Sequence, residues 1–249
     1  MREYKLSDRY KYECNSSSKG SQCKFERNGY FYKINKLGNE GFTEHLVYRV
    51  LRCTNIPEWL IVPYEYCKIN GKLGCRSKSF LTRNEEFVTI NSVYERLTGN
   101  VNLSNTLMGI GNAKERINYL CGIADTIGVH GYRNYLNLIM QVDLLIKNVD
   151  RHTNNFGFIR ECGSNKFRLA PIFDNGASLN TTGTYGTACT ISGSFEEQVT
   201  AFHFPIRKMF SINFNKLKDT INEFENRYGN TKEINTLVYN IQKYGDIFK

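Results

Sequence analysis

Three side chains in the middle of the chain have the types and spacing needed to handle phosphate and a divalent metal. Asp150 is followed five residues later by Asn155, within the run DRHTNN, and Asp174 follows a short predicted strand, Lys166 to Ile172. Oxygen ligands of this kind hold Mg²⁺ against phosphates, and a carboxylate can face an attacking hydroxyl. The set favours phosphoryl transfer, although each piece alone is also typical of helix ends and turns.

A pair of lysines in the first third of the chain also suggests an anion. Asn28-Gly29 predicts a two-residue hairpin turn, and pairing outward from it places Lys24 opposite Lys33. Two lysines directly opposite each other on a sheet repel. Either this end of the hairpin is frayed, with Glu26 diagonal to Lys33, or an anion lies over that face.

A carboxylate lies on the apolar side of the next predicted helix, Gly41 to Arg52. Glu44 shares a helical face with Val47 and Leu51, and burying a carboxylate is costly unless it is paired. The partner that we nominate is Lys33 on the preceding strand. The alternative is that Glu44 is peripheral and reaches solvent.

The elements that must position these residues divide the chain into two parts. Residues 22–90 have the alternation and glycine turns of strands, with IVPYEYCKIN and KSFL as two further strands joined through Asn70-Gly71-Lys72. From residue 90 the pattern is mainly helical, broken by a strand-and-loop insert at 150–195. Two helices are predicted at Lys114 to Ile127 and at Tyr132 to Lys147. Two more are predicted near the end from apolar stripes: Leu217, Ile221, Phe224 and Tyr228 in one, and Ile234, Leu237, Val238 and Ile241 in the other.

Composition narrows the class of protein. The chain has 249 residues, 41% of them apolar, and a net charge of +9 that is spread along the chain, so anionic partners and a merely solvated basic surface are both open. No apolar run is long enough to cross a membrane and no secretory signal is visible, so we expect a cytoplasmic protein without a membrane span. Eight cysteines without a CxxC pair favour reduced thiols over disulfides or zinc.

At this point the sequence resembles a known family. DRHTNNFGF followed by APIFDNGASL resembles the catalytic region of HipA-like kinases, which are relatives of protein kinases and phosphoinositide kinases. Upstream, GSQCK at 20–24 resembles the Gly-x-Gln-x-Lys phosphate loop of that family, and KLGNEGFTEHLVYRVL resembles its first helix. The resemblance covers roughly residues 14–180, in the order of the family.

The resemblance implies a role for each matching residue. Asp150 matches the catalytic aspartate, Asn155 and Asp174 match the two metal-binding positions, and Arg151 and His152 are expected to support the loop. The residues implied to bind the nucleotide are Gly20, Ser21, Gln22, Lys24, Lys33 and Glu44. Some relatives autophosphorylate a serine ahead of the phosphate loop, and Ser16, Ser17 and Ser18 occupy that region, with Ser17 the first choice and a flexible polar lead-in the alternative.

The resemblance also implies a fold, cofactors and partners. We expect a two-lobed, protein-kinase-like α+β fold, with a β-rich N-lobe over 1–88 and a helical C-lobe over 89–249. ATP would lie between the lobes with its adenine near Phe80 to Phe87, together with Mg²⁺, and the acceptor would be a Ser or Thr hydroxyl of a protein. The extra N-terminal domain of some HipA-like toxins is expected to be missing.

Other functions remain open at this stage. The Asp-Arg-His spacing is shared with phosphoinositide kinases, so a lipid or small-molecule kinase is an alternative, as is a nucleotide-binding pseudokinase that acts as a regulator. An antitoxin-like partner is consistent with the family. Direct nucleic-acid binding is disfavoured, because the sequence contains no convincing helix-turn-helix or zinc finger.

Overall fold

A five-stranded sheet makes up the first part of the molecule. The computed structural model describes residues 1–11, 23–36, 38–179 and 208–249. The strands are β1 (Glu3–Tyr4), β2 (Lys24–Arg27), β3 (Tyr30–Ile34), β4 (Tyr64–Ile69) and β5 (Lys72–Lys78). Their order in the sheet is β1-β4-β5-β3-β2, with β1 parallel to β4 and the other pairs antiparallel.

The β2–β3 hairpin has the register that its turn predicts. Asn28 and Gly29 have φ angles of 52° and 73°, as a type I′ turn requires, and Lys24 pairs with Lys33. Alternation along β3 sends Tyr32 into a small core beneath the N-terminal segment, while Lys33 points to the other face of the sheet. The predicted pairing is therefore confirmed.

Helix α1 (Glu40–Leu51) packs on the face of the sheet that carries Lys33. Gly41 allows this close approach, because a Cβ added to it would lie 2.4 Å from the carbonyl carbon of Gly74 in β5. The helix begins and ends one residue before the predicted bounds, Gly41 to Arg52. Glu44, Leu46 and Val47 are buried in it.

The prediction of a strand at KSFL (residues 78–81) was wrong. KSFL is not a strand of its own, because β5 begins at Lys72, directly after a tight turn at Asn70 and Gly71. Both turn residues have positive φ, 50° and 81°. Because of this turn, β5 pairs with β4 from Lys72 onward, and Lys78 is the last residue of β5 and not the first residue of a strand.

A second, three-stranded antiparallel sheet follows. It contains β6 (Glu85–Thr89), β7 (Gly157–Glu161) and β8 (Phe167–Leu169) in the order β6-β7-β8. Residues 79–84 join the first sheet to the second. The division into lobes at residue 88 stays a prediction.

Helices form the rest of the described chain. They are α2 (Ile90–Thr98), α3 (Leu103–Met108), α4 (Ala113–Thr126), α5 (Tyr132–Leu145), α6 (Phe214–Tyr228) and α7 (Lys232–Tyr244). Helix α5 is buried over most of its length and lies in the main hydrophobic core, which also takes up one side of α1. Among the residues that the structure describes, no helix is long and apolar enough to cross a membrane.

Candidate active site

Three charged side chains from distant parts of the chain meet on the inner face of the first sheet. Lys33 Nζ lies 3.3 Å from Glu44 Oε1 and 2.6 Å from Asp174 Oδ1. Lys33 comes from β3, Glu44 from α1, and Asp174 from the loop that follows β8. The pairing nominated from the burial of Glu44 is therefore present.

The pKa values follow from burial and from these contacts. Burial would lower the pKa of Lys33, but the charges of Asp174 and Glu44 raise it well above its ordinary value. Burial would raise the pKa of Asp174, but the charge of Lys33 and the hydrogen bond from it bring it far below its usual range. Burial raises the pKa of Glu44, and Lys33 offsets only part of this rise. Lys33 is thus held charged beside an ionised Asp174.

Asp174 also accounts for the facing lysines of the hairpin. Its carboxylate is ion-paired with Lys33, and the charge of Lys24 contributes to lowering its pKa. The structure therefore places an anion, the carboxylate of Asp174, against Lys33 of this facing pair.

The backbone after Asp174 is tied to the same cluster. The Asn175 N–H donates to Glu44 Oε2 at 3.0 Å, and the Asp174 N–H lies 3.4 Å from the Tyr64 hydroxyl oxygen, which accepts. Asp174 itself has a φ of 59°, in the left-handed region that few non-glycine residues adopt. Glu44 thus contacts both Lys33 and the 174–176 turn.

A buried arginine joins this turn to the loop that carries Asp150. Arg151 Nη1 donates to the Phe173 carbonyl at 2.7 Å, and its Nη2 donates to Asn175 Oδ1 at 2.7 Å. Its Nε and Nη2 also bind the carboxylate of Asp143 on α5, at 2.9–3.2 Å. Arg151 is 1% exposed and Asp143 is fully buried. This arrangement fits the supporting role expected for Arg151.

Asn155 has an oxygen atom that is suited to a metal ion. Its Nδ2 donates to the backbone carbonyl of Asp150 at 3.4 Å, which closes the 150–155 loop. Its Oδ1 is buried and has no hydrogen-bond partner within the described part of the chain. A buried polar atom is costly unless something binds it, so a cation fits this position.

Asp174 and Asn155 together offer one carboxylate and one amide oxygen. In the described residues, no group of three or more His, Cys, Asp or Glu side chains could hold a metal ion unaided. Mg²⁺ is commonly held by one or two carboxylates together with the phosphates of a substrate. These residues therefore fit Mg²⁺ that is bound with a nucleotide.

The remaining loop residues have local contacts. The Asn154 N–H donates to His152 Nδ1 at 3.3 Å, and both residues are half-buried. Asp150 is also half-buried, and its N–H donates to Asn148 Oδ1 at 3.1 Å. The Asn148 side chain in turn donates to Asp143 Oδ1 at 3.2 Å, so the base of the loop is held from α5.

Three phenylalanines pack together where the two sheets meet. The ring centroids of Phe80, Phe87 and Phe173 lie 5.1–6.0 Å apart. Their neighbours in this cluster include Tyr64 and Cys75 from the first sheet. Both ends of the segment Phe80 to Phe87, expected near the adenine, thus contact Phe173, the residue that directly precedes Asp174.

Six of the residues named from the sequence lie outside the described part of the chain. They are Gly20, Ser21 and Gln22 of the phosphate loop and the autophosphorylation candidates Ser16, Ser17 and Ser18. Lys24 is the first residue of β2.

Sequence reasoning missed three residues of the site: Tyr64, Asp143 and Asn175. Asp143 had a visible signal, because it is the one acidic residue in the apolar stretch Tyr132 to Lys147, and a buried acid needs a partner. Asn175 resembled an ordinary turn residue. The proximity of Tyr64 to Asp174 depends on how the sheet packs on the loop after β8.

These features define a protein with a two-lobed, kinase-like fold. In it, a strand lysine is paired with a helix glutamate and with an aspartate in the loop after β8. A crystal structure of CtkA, a proinflammatory kinase of Helicobacter pylori, has this fold, with a TM-score of 0.58 at 15% identity. The match covers 99% of this chain and 94% of CtkA. The expected fold class is thereby confirmed.

Two further comparisons are more limited. A 37-residue stretch is 49% identical to the serine/threonine-protein kinase CtkA of H. pylori strain J99, which is 15% of this chain and 11% of that protein. HipA, in a complex of HipA, HipB and operator DNA from Shewanella oneidensis MR-1, gives a TM-score of 0.42 at 12% identity, over 95% of this chain and 59% of that one. No protein-family model matches the chain. The expected enzyme class agrees with the name that CtkA carries.

Proposed function

We propose that this protein is an ATP- and Mg²⁺-dependent kinase that transfers a phosphoryl group to a Ser or Thr hydroxyl of a protein. The observation that carries the proposal is the lysine held between Glu44 and Asp174, at 3.3 and 2.6 Å. It is supported by the buried Oδ1 of Asn155, which has no hydrogen-bond partner among the described residues. Such an arrangement is suited to binding phosphates and the cation that accompanies them. The name and fold of CtkA support the same enzyme class.

Each residue has a part in the proposed reaction. Lys33, kept charged by Asp174 and Glu44, would bind phosphate oxygens. Asp174 and Asn155 would hold Mg²⁺, whose charge would offset that of the phosphates. Asp150 orients the acceptor hydroxyl and receives its proton. The hydroxyl oxygen forms a bond to the γ-phosphorus as the bond to the bridging oxygen breaks, and ADP leaves.

The finer parts of the proposal depend on the sequence resemblance. They are binding of phosphates by Gly20, Ser21, Gln22 and Lys24, autophosphorylation at Ser16 to Ser18, an antitoxin-like partner and a cytoplasmic location. Arg151 supports the proposed catalytic loop through Asp143, Phe173 and Asn175.

Calorimetric titration with ATP, with and without Mg²⁺, tests the proposed roles of the site. We expect the wild-type chain to bind ATP, and to bind it more tightly with Mg²⁺. Asp174→Ala should lose the effect of Mg²⁺, whereas Asp150→Ala should bind ATP as the wild type does. Asp125→Ala, at an exposed site on α4, is the matched control. A wild-type chain that does not bind ATP would contradict the kinase proposal.

A further inference from the structure

Helix α1 packs against the C-terminal helices as well as against the sheet. The ring of Phe42 in α1 lies 5.3 Å from that of Tyr228 and 5.8 Å from that of Phe224, both in α6. It also lies 5.7 Å from the ring of Tyr66 in β4, which is itself 5.9 Å from Tyr228. Four aromatic rings thus join α1, the sheet and α6.

Polar contacts extend this interface along the whole of α1. Near its start, the Asn39 side-chain amide donates to Glu233 Oε1 of α7 at 3.3 Å. Near its end, Arg49 donates two hydrogen bonds to the carboxylate of Glu223 in α6, at 3.1 and 2.6 Å. Between them, the ring of His45 lies 5.3 Å from that of Phe224. Helices α6 and α7 therefore contact α1 at both ends and in the middle.

Glu44 can stay buried against its partners only while helix α1 stays packed on the sheet. Its carboxylate is 2% exposed, and a buried carboxylate is stable only while its partners stay in reach. These partners are Lys33 in the sheet and the Asn175 N–H in the 174–176 turn. A small movement of α1 away from the sheet would return Glu44 to water and leave Lys33 with Asp174.

We propose that helices α6 and α7 position α1, so that Glu44 stays against Lys33, with Tyr228 as the main positioning residue. Tyr228 contacts α1, β4 and Phe224 of its own helix at once, through ring distances of 5.3–5.9 Å. It is half-buried at the edge of the main core, where it packs against Phe42 and Phe224. The effect on catalysis depends on the proposed function, whereas the placement of α1 does not.

Hydrogen–deuterium exchange of the backbone amides in α1 tests the placement without any substrate. In Tyr228→Ala we expect exchange in α1 to rise about ten-fold, which is the effect of losing two or three aromatic contacts, and exchange in α5 to stay unchanged. Tyr228→Phe keeps the ring and should behave as the wild type. Tyr239→Ala makes the same change on an exposed side chain of α7 and is the matched control. Unchanged exchange in α1 of Tyr228→Ala would overturn the proposal.

A double-mutant cycle with Glu44 tests whether Tyr228 acts through that residue. In the wild-type background, Tyr228→Ala should lower the rate of phosphoryl transfer about ten-fold, the loss expected from those same contacts. In a Glu44→Gln background the same substitution should cause almost no further loss. A full ten-fold loss in both backgrounds would show that Tyr228 acts independently of Glu44 and would overturn its positioning role.

The two readouts separate the positioning role from the proposed function. A wild-type chain without phosphoryl transfer would contradict the kinase proposal, and the exchange of α1 would then decide by itself whether α6 and α7 hold that helix. Normal transfer with unchanged exchange in Tyr228→Ala would leave the kinase proposal intact and remove the positioning role.

Discussion

The buried Arg151 both stabilises the core and holds two loops of the candidate active site. Arg151 neutralises Asp143 inside the core and, through the same guanidinium, binds the backbone of Phe173 and the side chain of Asn175. Replacing one member of a buried ion pair leaves the other charge without compensation. The loop that carries Asp150 and the turn that carries Asp174 should therefore lose their order together.

Arg151→Met tests this dependence. We expect the free energy of unfolding to fall by about 3–5 kcal/mol, because the buried carboxylate of Asp143 loses its partner. Urea unfolding measures the change. Adding Asp143→Leu should recover part of the loss, since an apolar pair removes the buried charge.

A surface arginine provides the comparison for that experiment. Arg168 pairs with Glu85 at 2.9 Å and is 49% exposed, so Arg168→Met should cost at most about 1 kcal/mol. A loss of this small size in Arg151→Met would contradict the role given to the buried pair.

His45 predicts a pH dependence of stability. Burial lowers the pKa of His45, and the charges of Arg49 and Arg227 lower it further, against opposing effects of its contact with the Tyr64 carbonyl and of Glu65. Below about pH 6.5 the unfolded chain takes up a proton at this residue while the folded chain resists it, so folding loses stability as the pH falls through that window.

Urea unfolding of the wild type and His45→Gln between pH 7.5 and pH 5 measures this effect. The wild type should lose stability relative to His45→Gln as the pH falls below about 6.5, because glutamine does not titrate. Parallel curves over that range would contradict the lowered pKa of the half-buried His45.

The close contact between helix α1 and strand β5 depends on Gly41. A Cβ at Gly41 would lie 2.4 Å from the carbonyl carbon and 2.6 Å from the carbonyl oxygen of Gly74 in β5. Both distances are to backbone atoms, so the helix or the strand would have to move. Such a movement would separate Glu44 from Lys33.

Gly41→Ala should therefore lower the free energy of unfolding by about 1–3 kcal/mol, because the added Cβ would overlap the backbone of Gly74. Gly122→Ala is the matched control, because Gly122 lies in helix α4 with nothing within 4 Å of an added Cβ. That change should raise stability by up to about 1 kcal/mol. Equal effects of the two substitutions in urea unfolding would rule out the close contact between α1 and β5.

The sequence predicts elements better than the contacts between them. The hairpin at Asn28-Gly29, the α1 helix and the buried α5 helix follow from turn chemistry and apolar periodicity, which act locally. The strand β5 was misplaced, because its bounds are set by pairing with β4, which begins at Lys72, directly after the turn. The contact of α1 with α6 joins residues about 180 positions apart, for which local patterns carry no information.

At the scale of the whole molecule, ion pairs bring together charged residues that are far apart in the sequence, Lys33 and Glu44 with Asp174. The burial cost of Glu44 led to Lys33 as its nominated partner, and the structure has this pair. The facing lysines left open a frayed hairpin end or a nearby anion, and the structure places the carboxylate of Asp174 against Lys33. The network of Arg151 was not predicted, because its carbonyl and amide partners leave no signature in the sequence.

The measurement that tests the central claim most directly is phosphoryl transfer from γ-labelled ATP with Mg²⁺, followed by mapping of the labelled residues. The wild type, Asp150→Ala and Asp174→Ala would be compared on the chain itself and on an added protein acceptor. We predict label on Ser or Thr with the wild type alone, while Asp150→Ala still binds ATP. Equal labelling by the wild type and Asp150→Ala would contradict the role of Asp150 and the account of this site.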